Sequence, residues 1–321
     1  MSDELAAVQE MLARERLSID DVAPGRTSFL THLGAQARLS PGTWIAHRDL
    51  LYALALANLS PAQRTSLARA VLVDHGRTFG VGHLELESAA SGLPLGGASL
   101  RMVRRPGRGP QGPSCLYTWA LAEGATPLPC DWLLVRVEPA WALERPPRPL
   151  SARALATLHA LEAPVVVLLA TAVDARALVD RCPPSLPLSI HPRFLPHVGR
   201  EDARVDHPDA RVLLWPHDVL SADSLRRREP GVLVLVDAPE ELTRAANRWA
   251  GQLPRAVEIT HATCPGRLDR PGLAAFWKAC GRPRVLLRGD PGWTGVGASW
   301  LRELGAQLST QSDAQQLGLF S

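Results

Sequence analysis

The sequence predicts an α/β protein whose N-terminal half is mainly helical and whose C-terminal half contains a parallel β-sheet. In the first 143 residues, apolar positions recur mostly at helical spacing. A proline cluster, ERPPRPLS at 144–151, then interrupts this pattern and is typical of a semi-rigid linker. From residue 164 onward, short apolar runs alternate with segments of helical length. We therefore expect domains at 1–143 and 152–309, the linker at 144–151, and a tail at 310–321.

Two helices are predicted early in the N-terminal half. The segments RDLLYALALANL, from Arg48, and SPAQRTSLARAVLVDHG, from Ser60, carry apolar residues at the spacing of one helix face. Ser60 is a good N-cap and Pro61 suits the first turn of the second helix, where its missing N–H has no intrahelical partner to lose. Both helices are therefore expected to begin close to these residues.

The spacing of apolar residues along the chain changes after the linker. Five apolar runs, PVVVLLAT, RVLLWP, GVLVLVDAP, AVEIT and RVLLRGD, are each followed by an amphipathic or polar segment long enough for a helix. Strands that are apolar on both faces and alternate with helices are typical of a parallel sheet that is covered on both sides. Residues 152–309 are thus predicted to form one three-layer α/β domain.

Composition indicates a globular protein of a reducing compartment. The chain has 321 residues, 46% hydrophobic and 21% charged, with a mean hydropathy of −0.03. No apolar run reaches the roughly 18 residues that span a bilayer, and the acidic, polar start MSDELAAVQE is unlike a signal peptide. The five cysteines are scattered and show no C-x-x-C spacing, which favours free thiols over a disulfide framework or zinc ribbon. We expect a cytoplasmic protein without a membrane segment.

Overall charge says little about partners. The net charge is +3 and the basic residues are almost all arginine, Lys278 being the one lysine. Such a skew is typical of a GC-rich coding sequence. The places where arginines cluster are therefore more informative than their total.

One such place follows the second predicted helix, in HLELESAASGLPLGGASLRMVRR. A short helix through Leu86, Ala89 and Ala90 would end at Gly92, which can adopt the left-handed turn, and a second helix would carry Leu100 and its neighbours. A glycine- and proline-rich tip, PGRGPQGP, and the strand-like CLYTWAL come next. The predicted order is helix, turn, helix and hairpin.

That order resembles the winged helix-turn-helix family over residues 48–122. The resemblance implies a recognition helix with four DNA-binding side chains on or beside it, and a wing whose arginine contacts phosphate. These candidate DNA-binding residues are Ser99, Arg101, Arg104 and Arg105 on or beside the helix and Arg108 in the wing. Because winged helices also bind proteins, a protein–protein module with a solvated arginine face stays open.

The second half resembles the second RecA-like domain of superfamily 2 helicases over residues 164–251, in its order of strands and in the strand end VDAP followed by a helix with Arg244 and Arg248. Where that family has threonine, glycine and aspartate, this chain has Trp215, Asp218 and the run LSADS. No G-x-x-x-x-G-K-[ST] loop is present to cradle phosphates. We expect a RecA-like domain that lacks a P-loop and binds no cofactor, or an unrelated Rossmann-like domain.

Histidines and acids concentrate in one stretch of the second half, where a hydrolytic metal site would draw its ligands. They are His191, His197, Asp206, His207, Asp209, His217 and Asp218. None of them forms an H-x-H or H-E-x-x-H pair on one element, so the favoured interpretation is structural, without a metal and without catalytic residues. A metal-dependent enzyme acting on nucleic acid remains the alternative.

The last residues carry a second resemblance. The tail reads QLGLF at 316–320, after the polar stretch STQSDAQ at 309–315, whose composition is typical of a flexible tether. QLGLF resembles the peptide by which bacterial replication and repair proteins bind the sliding clamp. The resemblance implies that Gln316 hydrogen-bonds at the edge of the clamp pocket, that Leu319 and Phe320 enter its apolar cleft, and that Leu317 adds side contacts. Docking of the tail on its own domain is the competing interpretation.

Together these features predict a non-catalytic accessory factor of bacterial DNA replication or repair. It would bind the sliding clamp through its tail, and DNA or a partner enzyme such as a helicase, nuclease or polymerase through its N-terminal domain. Two alternatives stay open: the metal-dependent enzyme, and a winged-helix transcription regulator with a ligand-sensing α/β domain.

Overall fold

The structure is a computed structural model that describes residues 12–20, 26–34, 40–105, 112–200, 205, 207 and 209–309. The chain divides into two compact units. The first unit combines Met1–Glu144 with Leu268–Ser321, and the second is Arg145–Arg267. The second unit is therefore an insertion between two segments of the first.

The strands, in chain order, are β1 (Leu17–Ile19), β2 (Thr27–Leu30), β3 (Thr43–Ala46), β4 (Val71–Leu72), β5 (Thr78–Val81), β6 (Leu84–Ala90), β7 (Ala98–Arg104), β8 (Cys115–Thr118), β9 (Trp132–Arg136), β10 (Val165–Leu169), β11 (Leu188–Ile190), β12 (Val212–Pro216), β13 (Val232–Val236), β14 (Glu258–Ala262), β15 (Arg284–Arg288) and β16 (Leu308–Ser309). The α-helices are α1 (Arg48–Ala55), α2 (Pro61–Ala68), α3 (Pro139–Ala142), α4 (Ala152–His159), α5 (Ala172–Val179), α6 (Leu195–Val198), α7 (Ala222–Arg228), α8 (Glu240–Ala250), α9 (Arg270–Ala279) and α10 (Pro291–Glu303).

Two β-sheets build the first unit. A small parallel sheet has the strand order β1-β2-β3-β4, and a larger sheet has the order β16-β15-β9-β8-β7-β6-β5. In the larger sheet β8, β9, β15 and β16 run parallel, whereas β5 to β8 form an antiparallel meander. One apolar cluster joins the sheets, with Phe29 and Ile45 from the small sheet and Leu100 and Leu134 from the large one. The sheets thus pack face to face.

The other face of the larger sheet is covered by helices. Along β9, Leu134 belongs to the cluster between the sheets, while Leu133 and Val135 belong to a second cluster with side chains of α3, α9 and α10. This alternation follows from the two-residue period of a strand. Because both faces of the sheet are buried, the strands of its parallel part consist mainly of consecutive apolar residues.

The two predicted helices are confirmed as α1 and α2. The Ser60 hydroxyl accepts a hydrogen bond from the Gln63 backbone N–H, and the Gln63 side chain accepts one from the Ser60 N–H, which together make a capping box. Pro61 occupies the first helical turn. The local sequence is therefore sufficient to start this helix.

A five-stranded parallel sheet forms the second unit, in the order β11-β12-β10-β13-β14. Alternate residues of its central strand β10 enter opposite apolar clusters, Val165 and Val167 in one and Val166 and Leu168 in the other. The predicted parallel sheet apolar on both faces is confirmed here. Helix α5 begins with a capping box, in which Thr171 and Asp174 satisfy each other's backbone N–H.

The helix-turn-helix expected near residues 84–105 is wrong. This stretch forms strands β6 and β7, which pair antiparallel from Leu84 with Arg104 to Ala90 with Ala98. Leu84, Leu86 and Ser88 are buried and alternate with partly exposed glutamates. Buried residues therefore recur at every second position, as in a strand, and not at helical spacing. The N-terminal part of the chain is consequently rich in β-structure and is not a winged-helix domain.

The division into units also differs from the predicted domains. The first unit ends at Glu144, where the proline cluster begins, but residues 268–309 lie in the first unit rather than in the second. The reason is the pairing of β15, which runs parallel to β9 along its whole length, from Arg284 with Trp132 to Arg288 with Arg136. An alternating β/α sequence does not say which sheet a strand joins.

None of the helices in the described part of the chain has both the length and the apolar composition that crossing a bilayer requires.

Candidate functional site

Four of the five residues predicted to contact DNA lie on or just after strand β7. Ser99 is fully buried in the sheet. The Arg101 guanidinium donates to the Pro129 carbonyl at 2.8 Å and lies 3.5 Å from Glu87, while Arg104 ends the strand and Arg105 follows it. The predicted recognition helix is therefore absent from this stretch, and Arg108 lies outside the described residues.

The predicted clamp-binding residues Gln316, Leu317, Leu319 and Phe320 also lie outside the described residues. The last described strand, β16, ends at Ser309 and pairs with β15 at the edge of the larger sheet. The QLGLF peptide thus follows an edge strand in sequence.

Among its described residues, the histidine- and acid-rich stretch of the second unit does not form a metal-binding group. Arg193 donates to both carboxylate oxygens of Asp218, at 2.7 and 2.6 Å, and its backbone N–H donates to His191 Nδ1 at 3.2 Å. His197 is buried, and Asp206 lies outside the described residues. Over the described ranges, no three histidine, cysteine or carboxylate side chains gather closely enough to hold a metal ion. This stretch forms an exposed ion pair instead.

A buried carboxylate that the sequence did not single out lies at the carboxyl end of β1. Asp20 is 4% exposed and has a left-handed backbone, with φ of 54°. Its Oδ1 accepts a hydrogen bond from the Thr31 backbone N–H at 2.7 Å, and its Oδ2 accepts from the hydroxyls of Thr31 and Tyr117, the latter at 3.1 Å. Tyr117 in turn accepts from Arg288 at 3.0 Å. We call Asp20, Thr31, Tyr117 and Arg288 the Asp20 network.

The indole of Trp119, next to this network, contacts one histidine and two arginine side chains. The His32 ring stacks on Trp119 with 4.2 Å between centroids. The guanidinium carbons of Arg136 and Arg288 lie 4.8 and 4.9 Å from the centroid of the same indole, within the range of cation–π attraction. His32 Nε2 is also 3.7 Å from Asp20 Oδ2. The arrangement holds both arginines at the carboxyl ends of β9 and β15.

One sequence signal could have found these arginines. Arg136 and Arg288 are each the last residue of an apolar strand, in WLLVR and RVLLR. Ligand-binding groups of parallel sheets lie at the carboxyl ends of the strands, so a charged residue at that place is a candidate for function. Asp20 carried no such signal, because its strand has only three residues and its partners come from distant segments.

Burial determines the protonation of the Asp20 network. Desolvation raises the pKa of Asp20 to about 6, against lowering contributions from its hydrogen bonds to Thr31 and Tyr117 and from the charge of Arg288. Burial and the neighbouring carboxylate hold the pKa of Tyr117 well above its usual value, so its hydroxyl stays a donor. The adjoining cavity measures about 10 Å³, which is room for about one water molecule. The space enclosed beside Tyr117 and Arg288 is therefore about the size of one water molecule.

The second unit has its own polar cluster at the carboxyl edge of its sheet. Asp174 and Arg267 form an ion pair at 2.5 Å with both side chains less than 10% exposed. Asp237, after β13, has a left-handed φ of 47°, and its Oδ2 accepts a hydrogen bond from the Cys264 backbone N–H at 3.1 Å. Burial lowers the pKa of His217, which follows β12. These groups hold the loops at this edge together.

Comparisons with known proteins assign no family. No protein family model matches the chain, and no curated protein sequence matches it significantly. Among solved structures, the chain is similar to a protein of unknown function from Enterococcus faecalis V583, at 13% identity and a TM-score of 0.48 over 81% of this chain and 74% of that one.

Two further solved structures show lower similarity. One is Zn²⁺-bound PqqB from Methylobacterium extorquens, at 13% identity and a TM-score of 0.25 over 74% of this chain and 71% of that one. The other is CmlA, a diiron β-hydroxylase from Streptomyces venezuelae, at 12% identity and a TM-score of 0.23 over 75% and 46%. With TM-scores below 0.5, these likenesses assign neither a fold nor an activity to this chain.

Proposed function

We propose that this chain is a non-catalytic accessory factor of bacterial DNA replication or repair that binds the sliding clamp through residues 316–320. The observation that carries the proposal is the peptide QLGLF, which resembles the clamp-binding peptide in its glutamine, its two leucines and its phenylalanine. It follows a polar stretch, STQSDAQ, whose composition suits a tether. A folded body would thereby be recruited to DNA-bound clamps.

The physical basis is the recognition of a short extended segment. Leu319 and Phe320 supply apolar surface for a cleft on the clamp, and Gln316 supplies an amide for its edge. Short peptides of this kind bind in the micromolar range, worth about −8 kcal/mol at 1 μM. A second contact with DNA or with a partner enzyme would raise the effective affinity through avidity.

We expect the full-length chain to bind a bacterial sliding clamp with a dissociation constant in the micromolar range, and a chain ending at Ala314 not to bind. In Phe320→Ala the affinity should fall at least tenfold, because burying one phenylalanine side chain contributes about 1.5–3 kcal/mol. Isothermal titration calorimetry measures both quantities.

The matched control is Gln311→Ala, which changes a polar residue of the same tail outside the peptide. Its affinity for the clamp should equal that of the unaltered chain. If the chain ending at Ala314 binds as tightly as the full-length chain, the peptide does not mediate clamp binding and the proposal fails.

A further inference from the structure

A large open groove lies in the first unit, at the amino ends of the parallel strands β8, β9 and β15. It encloses about 1080 Å³, and its lining includes Arg101, Lys278, Arg282, Arg284, Asp131 and Gln307. We call it the basic groove. It is remote in the fold from the Asp20 network, whose neighbouring arginines end β9 and β15 at their carboxyl termini.

The lining of the basic groove carries a strong excess of positive charge. Among the described lining residues, four cationic side chains face one carboxylate, that of Asp131. Asp131 Oδ2 is occupied internally, because it accepts hydrogen bonds from both the backbone N–H and the hydroxyl of Ser114, each at 2.7 Å. Outside the lining, Glu87 approaches Arg101 at 3.5 Å. The charge of the groove therefore favours an anionic ligand.

Two of the cations are exposed at a tight turn. Lys278 lies in the last turn of α9, and Arg282 follows Gly281 in the connection to β15. Within the described ranges no carboxylate pairs with either side chain. Arg282 has a left-handed φ of 60°, a conformation that a residue with a side chain adopts at a cost. Glycine is the usual residue at a positive φ, as it is at the preceding position, where Gly281 has φ of 90°.

The other two cations are held in place by the sheet. The Arg284 guanidinium lies 5.5 Å from the Trp132 ring centroid, and its Nε donates to Gln307 Oε1 at 3.1 Å. Arg101 is anchored by its hydrogen bond to the Pro129 carbonyl. Because these side chains are already ordered, an anion bound between them costs less side-chain entropy.

The chemistry of the lining selects the class of ligand. Pockets for small organic ligands are mainly apolar, whereas this groove is polar, open and slightly larger than the usual ligand-pocket volumes. Its cations come from four separate positions, on β7, at the end of α9, in the following turn and on β15, so they suit charges that are spread out in space. Trp132 and Trp277 are 1% and 5% exposed, which leaves no ring face for stacked bases.

We propose that the basic groove binds the phosphodiester backbone of duplex DNA. The groove touches phosphates and reads no base sequence. This inference deepens the proposed function, on which it rests for the presence of DNA. It replaces the predicted recognition helix with a different surface, which among the described residues shares Arg101 with that prediction.

The test uses the full-length chain and a fluorescent DNA duplex, without clamp, in anisotropy titrations over a series of salt concentrations. The variant Lys278→Gln/Arg282→Gly removes two charges. Glycine at residue 282 adopts the left-handed φ of this position without strain. We expect its dissociation constant to rise at least tenfold, and the slope of its logarithm against the logarithm of salt concentration to fall by about 0.9 for each phosphate that the variant no longer neutralises. The control Arg69→Gln removes an exposed charge of the same unit outside the groove, and it should change neither quantity.

Three results would overturn the inference: no binding of duplex by the full-length chain, equal affinity in the double variant, or displacement of the duplex by pyrophosphate at the same phosphate concentration. Tenfold tighter binding of the single strand would overturn the assignment to duplex. If the chain fails only to bind the clamp, the proposed function fails. Duplex binding that is lost in the double variant would still establish the basic groove as a DNA-binding site.

Discussion

Replacing Arg267 with alanine is expected to lower the free energy of unfolding of the second unit by about 3–5 kcal/mol. Arg267 and Asp174 are 8% and 7% exposed in their side chains, and the substitution leaves the Asp174 carboxylate buried without its cation. The same carboxylate accepts hydrogen bonds from the Thr171 backbone and hydroxyl at the start of α5. Loss of the pair should therefore weaken the start of that helix as well.

Hydrogen exchange followed by mass spectrometry measures this effect within the second unit. Amides of β10 and β13 should exchange faster in Arg267→Ala, because their protection reports the opening of the unit. The control is Arg226→Ala, which breaks an exposed pair with Asp223 in the same unit, where the side chains are 54% and 76% exposed. That change should cost no more than about 0.5 kcal/mol. Equal exchange in the two variants would show that the buried pair contributes little.

Asp20 is expected to make the protein more stable as the pH falls from about 7 to about 4. Its folded-state pKa, about 6, lies above the reference value of 3.8. The stabilisation from its protonation is therefore fully present below about pH 3.8 and is lost as the pH rises through about 6. A shift of about two pKa units corresponds to about 3 kcal/mol.

The variant Asp20→Asn isolates this contribution, since its side chain is neutral at every pH. The difference in the free energy of unfolding between the unaltered chain and the variant should change by about 3 kcal/mol between pH 4 and pH 7, when measured by urea titration. Asp74→Asn serves as the comparison, because Asp74 forms an exposed pair with Arg48 and should alter the pH dependence little. A difference between the unaltered chain and Asp20→Asn that is constant with pH would show that Asp20 does not titrate in this range.

Three strands of the second unit were predictable because each lies within a continuous apolar run. Val165–Leu169, Val212–Pro216 and Val232–Val236 all fall inside the apolar runs that follow the linker. Strand β11, Leu188–Ile190, is not among those runs, since three residues are too few to show a period. The capping boxes at Ser60 and Thr171 likewise depend on residues only three positions apart.

The sites were less predictable than the elements. The Asp20 network brings together residues 97 and 171 positions apart, Asp20 with Tyr117 and Tyr117 with Arg288. The basic groove joins Arg101 on β7 to Arg282 and Arg284 beside β15. No local pattern marks such combinations, because the pairing of β8, β9 and β15 creates them.

By itself the sequence determined the α/β class, the starts of helices α1 and α2, the apolar strands after residue 164 and the peptide QLGLF. Each of these depends on residues that are close together in the chain. Only the tertiary structure decided that residues 84–90 and 98–104 are strands and that residues 268–309 join the first unit. The same alanine- and leucine-containing stretch satisfies both a helical and a two-residue spacing over a few positions. The choice between them is made by backbone hydrogen bonds to neighbouring strands and by burial against a second sheet, and these partners are distant in the chain.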